Sequence, residues 1–289
     1  MAQLQAGTVV ELEVAREAPF GYFLTDGNED VLLHETEAKG ELAEDQTVEV
    51  FLYQDKKGRL AASMTIPDIS IDTYEWVSVA GVQKHLGVFV DIGIKKDILL
   101  SVDDLPDSFE QWPEVGDQLY CSLKVDKKAG LLARLAGEEQ MDEISRPAEK
   151  TMFNREIAGN VYRLVATGSF MISDDGLKGF IHETEQKEAQ RLGKRVTGRV
   201  IGVKEDGTVN VSLLPRGYER IGDDAEKIMA HLESRNGPMP YSDRSHPDDI
   251  KARFSMSKGA FKRALGKLMK ADRVYQEDGW TYLKDNRKK

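Results

Sequence analysis

The sequence predicts a multidomain chain, three all-β five-stranded barrels of the OB type followed by an α+β winged helix-turn-helix domain. Three observations predict it. The tetrapeptide His-Glu-Thr-Glu occurs twice, at 34–37 and 182–185, each time closing an apolar run. Upstream of each copy lies a Gly followed by aromatic and aliphatic residues, Gly21-Tyr22-Phe23-Leu24 and Gly168-Ser169-Phe170-Met171-Ile172. Repetition over so long a pattern indicates one small β unit used several times. After Pro215 the apolar period changes from strand-like to helical.

Residues 1–66 give five short strands, 8–15, 20–24, 31–34, 47–53 and 60–64, rich in Thr, Val, Leu and aromatics and separated by Asp26-Gly27-Asn28 and Lys57-Gly58. Only 36–45 has room for a helical turn, between the third and fourth strands, as in a small Greek-key barrel. Residues 67–138 repeat the order with strands at 76–80, 87–91, 97–100, 118–125 and 131–135. Lys127-Lys128-Ala129-Gly130 forms the last hairpin turn of this unit. Residues 139–216 repeat it again at 157–164, 168–172, 179–182, 195–203 and 208–213. The charged stretch 137–150, with Pro147, is expected to be a hinge between the halves.

In residues 217–289, Ile228, Met229 and Leu232 recur at helical spacing before Asn236-Gly237-Pro238 stops the helix. Pro247 suits the first position of a second helix over 247–254. Ser257 can cap a third over 258–271, with Phe261, Leu265, Leu268 and Met269 on one face. Segments 273–276 and 280–283 alternate about Glu277-Asp278-Gly279, a hairpin turn.

Composition narrows the function. The chain has 289 residues and a net charge of −10, but the charge is graded. Residues 1–66 hold 5 basic against 13 acidic residues, a balance of −8. Residues 67–138 hold 7 against 13, residues 139–216 hold 12 against 12, and residues 217–289 hold 16 against 12, giving −6, 0 and +4. A polyanionic partner is therefore expected to anchor in the C-terminal half. No apolar run approaches the ~20 residues of a membrane span, and the acidic start, with Glu11 and Glu13, does not read as a signal peptide. Cys121, unable to form an internal disulfide, fits a reducing cytoplasm. The five histidines and Cys121 lack zinc spacing, and no phosphate-cradling Gly-rich loop or nucleophile elbow is found. The expectation is a cytoplasmic protein that binds without catalysis, metal or cofactor.

The repeated unit resembles the RNA-binding repeat of the largest protein of the small ribosomal subunit, the S-one type of OB fold. That resemblance implies two aromatics around the second-strand Gly, a His ending the third strand, and an Asp and an Arg flanking the last turn. The first unit matches with Phe20, Phe23, His34, Asp55 and Arg59. In the second, Leu86 stands for the first aromatic and Leu100 for the His, leaving Phe89 and Asp126. The third keeps Phe170 and His182, with Thr167 and Thr208 for the first aromatic and the Arg. Three such units and a winged helix in this length resemble the conserved virulence factor B family of Gram-positive bacteria. The resemblance implies an RNA-binding post-transcriptional regulator that influences virulence gene expression.

The physical reading agrees. Unpaired bases stack on Phe, Tyr or His while Arg and Lys track phosphates. Phe20 and Phe23, three apart, share a surface only if the strand bends at Gly21; otherwise one of them is core. Phe170 and His182 have Arg199 and Lys204 nearby in sequence, though a buried Phe beside a solvated basic strand is the plainer alternative. In the last helix Lys262, Arg263, Lys267 and Lys270 form an outer basic face, next to Arg273, Trp280 and Tyr282 of the wing. Such a face suits single-stranded RNA or duplex DNA. The acidic N-terminal half alternatively docks a basic protein partner.

Overall fold

Alternate residues of short strands fill the interior of each barrel, and where barrels meet the outward residues are buried as well. In the computed structural model the described residues are 4–55, 57–126, 130–215, 217–235 and 237–284, without the side chains of 217–222. The expected turn residues Lys127, Lys128 and Ala129, and Asn236 at the expected helix stop, lie outside them.

The first barrel consists of β1 (Val9–Ala18), β2 (Gly21–Thr25), β3 (Asp30–His34), β4 (Thr47–Gln54) and β5 (Leu60–Ser63). They close in the order β1-β2-β3-β5-β4, with β3 and β5 parallel. Leu12, Val14, Leu24, Val31, Leu33, Val50 and Leu52 fill its interior. The second barrel repeats this order with β6 (Glu75–Gln83), β7 (Gly87–Asp91), β8 (Ile98–Ser101), β9 (Gln118–Asp126) and β10 (Gly130–Leu135). The third uses β11 (Glu156–Val165), β12 (Gly168–Ser173), β13 (Lys178–His182), β14 (Arg195–Val203) and β15 (Val209–Ser212). The helical turn expected within 36–45 is a 3-10 turn one residue earlier, Glu35–Glu37.

One glycine per barrel makes the closure possible. Gly21, Gly87 and Gly168 open their second strands at φ of +139°, +136° and +151°. A Cβ on Gly21 would lie 2.2 Å from the Leu33 carbonyl oxygen. Gly21→Ala is therefore expected to cost more than about 3 kcal/mol, because strain and a backbone clash coincide. Thermal unfolding of the full chain should show it, and an unchanged transition would contradict it.

The expected hinge at 137–150 is not one. Residues there fold into α1 (Glu138–Glu143), whose Met141 is 1 % exposed. The Glu138 carboxylate is held by Tyr162 Oη at 3.1 Å, Arg163 at 2.6 Å and Lys178. Seven acidic and basic residues in a Pro-containing stretch read as a linker, but two of them, Glu138 and Asp142, find partners on the third barrel. The chain instead divides into two compact units, 1–213 and 214–289.

Within the first unit the barrels are packed on one another. Phe51, Tyr53 and Ala61 of the first join a cluster containing Ile92, Ile94 and Trp112 of the second and Leu192 of the third. Polar ties accompany it: Glu37, 5 % exposed, accepts from Ser63 at 2.5 Å and from the Lys95 backbone N–H at 2.8 Å. Arg191 binds Asp117 through Nε at 2.9 Å.

The second unit holds α2 (Gly217–Ser234), α3 (Pro247–Phe254) and α4 (Lys258–Lys270), then the hairpin β16 (Val274–Glu277) and β17 (Trp280–Leu283). Ser257 caps α4 by accepting from the Ala260 N–H at 3.2 Å. The buried face of α4 is Phe261, Ala264, Leu265 and Leu268. Met269, expected on that face, is 43 % exposed. Eight residues past Phe261 it has rotated about 80° away, and Ala264 takes the place.

His231 packs edge-on against Phe254 at 5.2 Å and accepts at Nδ1 from Arg253 at 3.1 Å. Burial, aided by Arg253 and Arg235, holds its imidazole below the ordinary 6.5. A depressed folded value means this contribution to stability is complete above 6.5 and is lost as pH falls through the lowered value. Calorimetric unfolding should show the second unit melting earlier as pH drops below about 6.5, and His231→Phe should remove that dependence.

Candidate nucleic-acid interface

The ladder register of each barrel defines one row of residues running across all five strands. In the first it reads Arg16, Phe23, Leu32, Ala61, Tyr53. The second gives Gly81, Phe89, Leu99, Leu132, Lys124. In the third the row is Arg163, Phe170, Phe180, Asn210, Gly202. A β-bulge on the first strand sets the starting residue in every case, between Val14 and Arg16, Val79 and Gly81, and Val161 and Arg163.

In the first barrel the bend at Gly21 brings Phe20 and Phe23 onto one surface, their rings 6.3 Å apart and edge-on. Phe20 is 46 % exposed. The Arg16 guanidinium lies 4.2 Å above the Phe23 ring and is fixed by Asp30 at 2.7 Å. His34 ends β3 opposite Gly21, beside Phe20 in the chain fold. Its Nδ1 accepts from the Thr36 N–H at 3.2 Å and meets Thr36 Oγ1 at 2.9 Å, so Nε2 is left to face outward. Asp55 and Arg59 form an ion pair at 2.7 Å across the last turn. Burial raises the Asp55 carboxyl, but Arg59 and the backbone N–H groups of Arg59 and Lys57 outweigh it and hold it below the ordinary 3.8. The row ends under the second barrel, for Ala61 and Tyr53 are each 6 % exposed. Only half of this face is open.

The second barrel has lost the equipment. Gly81 replaces the arginine and Leu86 the first aromatic. The position of the His belongs to Ser101, which pairs with Gly87 and caps the following turn by accepting from the Asp103 N–H at 3.3 Å. Leu100, expected there, is fully buried one residue earlier. Gly87 and Ser101 are 14 residues apart, against 13 for Gly21 and His34, which hides the correspondence in the sequence.

The third barrel is the better equipped. Phe180 stands 5.0 Å from Phe170, and His182 lies edge-on to Phe180 at 6.2 Å. Phe180 thus supplies the second ring that Thr167 withholds. Arg163 sits 4.7 Å over Phe170 and Lys204 Nζ 5.9 Å over Phe180. His182 repeats the His34 geometry, accepting from the Thr184 N–H at 3.2 Å. Asn210 and Gly202, at the end of the row, remain half-exposed, so the face is open throughout. Arg199 lies off the row: the register sets it against Glu156 at the start of β11 and against Ser212 on β15, two residues beyond Asn210.

On the second unit Lys262, Arg263, Lys267, Lys270 and Arg273 are all exposed, and none is ion-paired among the described residues. Trp280, 40 % exposed, and Tyr282 share the outer face of the wing with Tyr275, which stacks on Tyr282 at 5.0 Å and 12°. Arg16, Arg163, Phe180 and Tyr275 escape the sequence reading. The shared spacing was the available signal: Arg16 and Arg163 each precede the ring they cover by seven residues.

Among the described residues no helix is long and apolar enough to cross a membrane, and no cluster of His, Cys, Asp and Glu is placed to hold a metal ion.

The domains match known families in order along the chain. Residues 6–65 match the S1 domain, 74–134 the CvfB first S1-like domain, 141–215 the second domain of virulence regulatory factor CvfB, and 226–283 the CvfB-like winged helix domain. The Bacillus subtilis protein YitL is 51 % identical over 281 residues, 97 % of this chain and 94 % of its own length. Conserved virulence factor B of Staphylococcus saprophyticus is 38 % identical, covering 94 % of this chain and 92 % of itself. A crystal structure of a multidomain protein with nucleic acid binding domains from Streptococcus pneumoniae aligns with a TM-score of 0.67 and 39 % identity, covering 96 % and 98 % of the two chains.

Proposed function

Because the chain belongs to the conserved virulence factor B family, we propose that it binds unpaired RNA without catalysis, mainly through the third barrel and the winged helix. The observation that carries this reading is the open row Arg163, Phe170, Phe180 with Lys204 beside it. Rings that are half-exposed and flanked by cations suit stacked bases with their phosphates. The first barrel contributes less. Arg16 is tied to Asp30 as Arg163 is to Glu138, so the difference lies in the first barrel's row, which closes under the second barrel, and in its balance of 5 basic against 13 acidic residues, which opposes phosphate. Exposed lysines and arginines on α4, without an ion pair among the described residues, supply the electrostatic attraction. The cellular role that follows is post-transcriptional control in the cytoplasm, including control of virulence genes.

The test is fluorescence anisotropy of the full chain with a labelled unstructured RNA and with duplex DNA, at two salt concentrations. Salt-sensitive binding that favours the RNA is expected. A clear preference for the duplex would instead make the winged helix a DNA reader and reject the RNA assignment.

A further inference from the structure

The second barrel lacks a nucleic-acid row, yet it carries an aromatic cluster on a different pair of strands. Trp76 on β6 and Tyr120 on β9 pair in register, their rings 5.2 Å apart, and Tyr74 continues the stack at 5.8 Å. Trp76 and Tyr120 form one wall of a groove of about 680 Å³ between the second and third barrels. The opposite wall comes from the third barrel and includes Asn160, Asp174 and Asp175; Glu75 completes the rim.

The polar groups there share one character. No basic residue lines the groove, and its three charged residues are carboxylates. Asp174 is already bound to Arg195 at 2.6 Å, whereas the side chains of Glu75 and Asp175 have no ion pair among the described residues. Asn160 is 9 % exposed, and its Oδ1 is buried without a hydrogen-bond partner. The next residue, Val161, fills the core of the third barrel, so Asn160 points out of that barrel toward the groove. A buried amide oxygen without a donor is costly, and natural sites of this kind are completed by something that donates.

We propose that this groove receives an arginine side chain of a basic polypeptide. A planar guanidinium stacks on the face of Trp76 or Tyr120. Its five N–H donors suit the Asn160 oxygen, the Asp175 carboxylate and the Glu75 carboxylate, which already accepts from the Trp76 N–H at 2.8 Å through one oxygen. A nucleic acid would bring its phosphates against the same carboxylates. The surroundings reinforce the choice, since residues 67–138 hold 7 basic against 13 acidic residues. The protein then has two faces, one for RNA and one for a basic protein.

A fluorescein-labelled peptide alternating arginine and glycine tests this against the full chain, with its citrulline counterpart of equal length, at about 0.15 M ionic strength. Trp76→Ala, and separately Glu75→Gln with Asp175→Asn, should each weaken the arginine peptide about tenfold or more, with RNA affinity unchanged. The exposed carboxylate pair keeps the test valid if Trp76→Ala unfolds the barrel. Glu11→Gln with Glu13→Gln, on the first barrel, should leave peptide binding as it was. Equal binding of the citrulline peptide, or an equal loss from the Glu11/Glu13 pair, would reduce the effect to diffuse charge and overturn the proposal. Loss of RNA affinity in the Glu75/Asp175 or folded Trp76 variant would overturn it too, in favour of a nucleobase platform.

Discussion

Reversing Arg263 and Lys267 to Glu should weaken binding of unstructured RNA by the full chain about ten- to a hundredfold at low salt. Both side chains are exposed on α4, away from the buried Phe261, Ala264, Leu265 and Leu268, so the fold should survive. The size of the effect follows from what these cations are not doing. Arg16, Arg59, Arg163, Lys178, Arg191 and Arg195 are each bound to a carboxylate of the chain, and a phosphate must compete for them. Among the described residues Arg263 and Lys267 have no such partner, which leaves them available to a polyanion. Each cation that neutralises a single-strand phosphate contributes about 0.7 to the slope of log affinity against log salt. Losing two should flatten the slope by about 1.4, and the new carboxylates add repulsion on top. Unchanged affinity and slope in a folded variant would remove α4 from the interface. A loss confined to duplex DNA would identify α4 as a groove-reading helix.

Much of the fold was legible because the relevant signals are local. Strand periodicity, turn residues and the recurring Gly are written in consecutive positions, and Pro247 and Ser257 mark helix starts by chemistry that acts within one turn. What was not legible depends on partners distant in sequence. Residues 137–150 look like a linker until Glu138 meets Tyr162, Arg163 and Lys178, 24 to 40 residues away. Leu100 takes the His position when Gly87 is given the 13-residue spacing of Gly21 to His34, whereas Gly87 pairs with Ser101, 14 residues on. Arg163 and Phe180 join Phe170 only through strand register, which a bulge resets between Val161 and Arg163. For the same reason Arg199, close to Lys204 in sequence, ends against Glu156 while Lys204 reaches Phe180.

The aromatic row of the third barrel yields the second large effect. Phe170→Ala should weaken RNA binding by about 1–3 kcal/mol, the usual worth of one stacked base. The ring also seats the Arg163 guanidinium, whose placement over the row then rests on Glu138 alone. Phe180→Ala should act similarly, since Phe180 fills the ring position that Thr167 leaves empty and carries Lys204 above it. The two rings are in contact at 5.0 Å, so the double variant need not show the sum of the single losses. Both are only half-buried and outside the core cluster of Val161, Met171, Ile181 and Val211, which separates lost affinity from lost stability. Phe23→Ala is the matched comparison: same position and an arginine on its face, but a row that closes under the second barrel at Ala61 and Tyr53. A small effect at Phe23 beside a large one at Phe170 is expected from titrations monitored by anisotropy. The reverse order would move the principal site to the first barrel, where net negative charge has then been overcome by Phe20, Phe23 and His34.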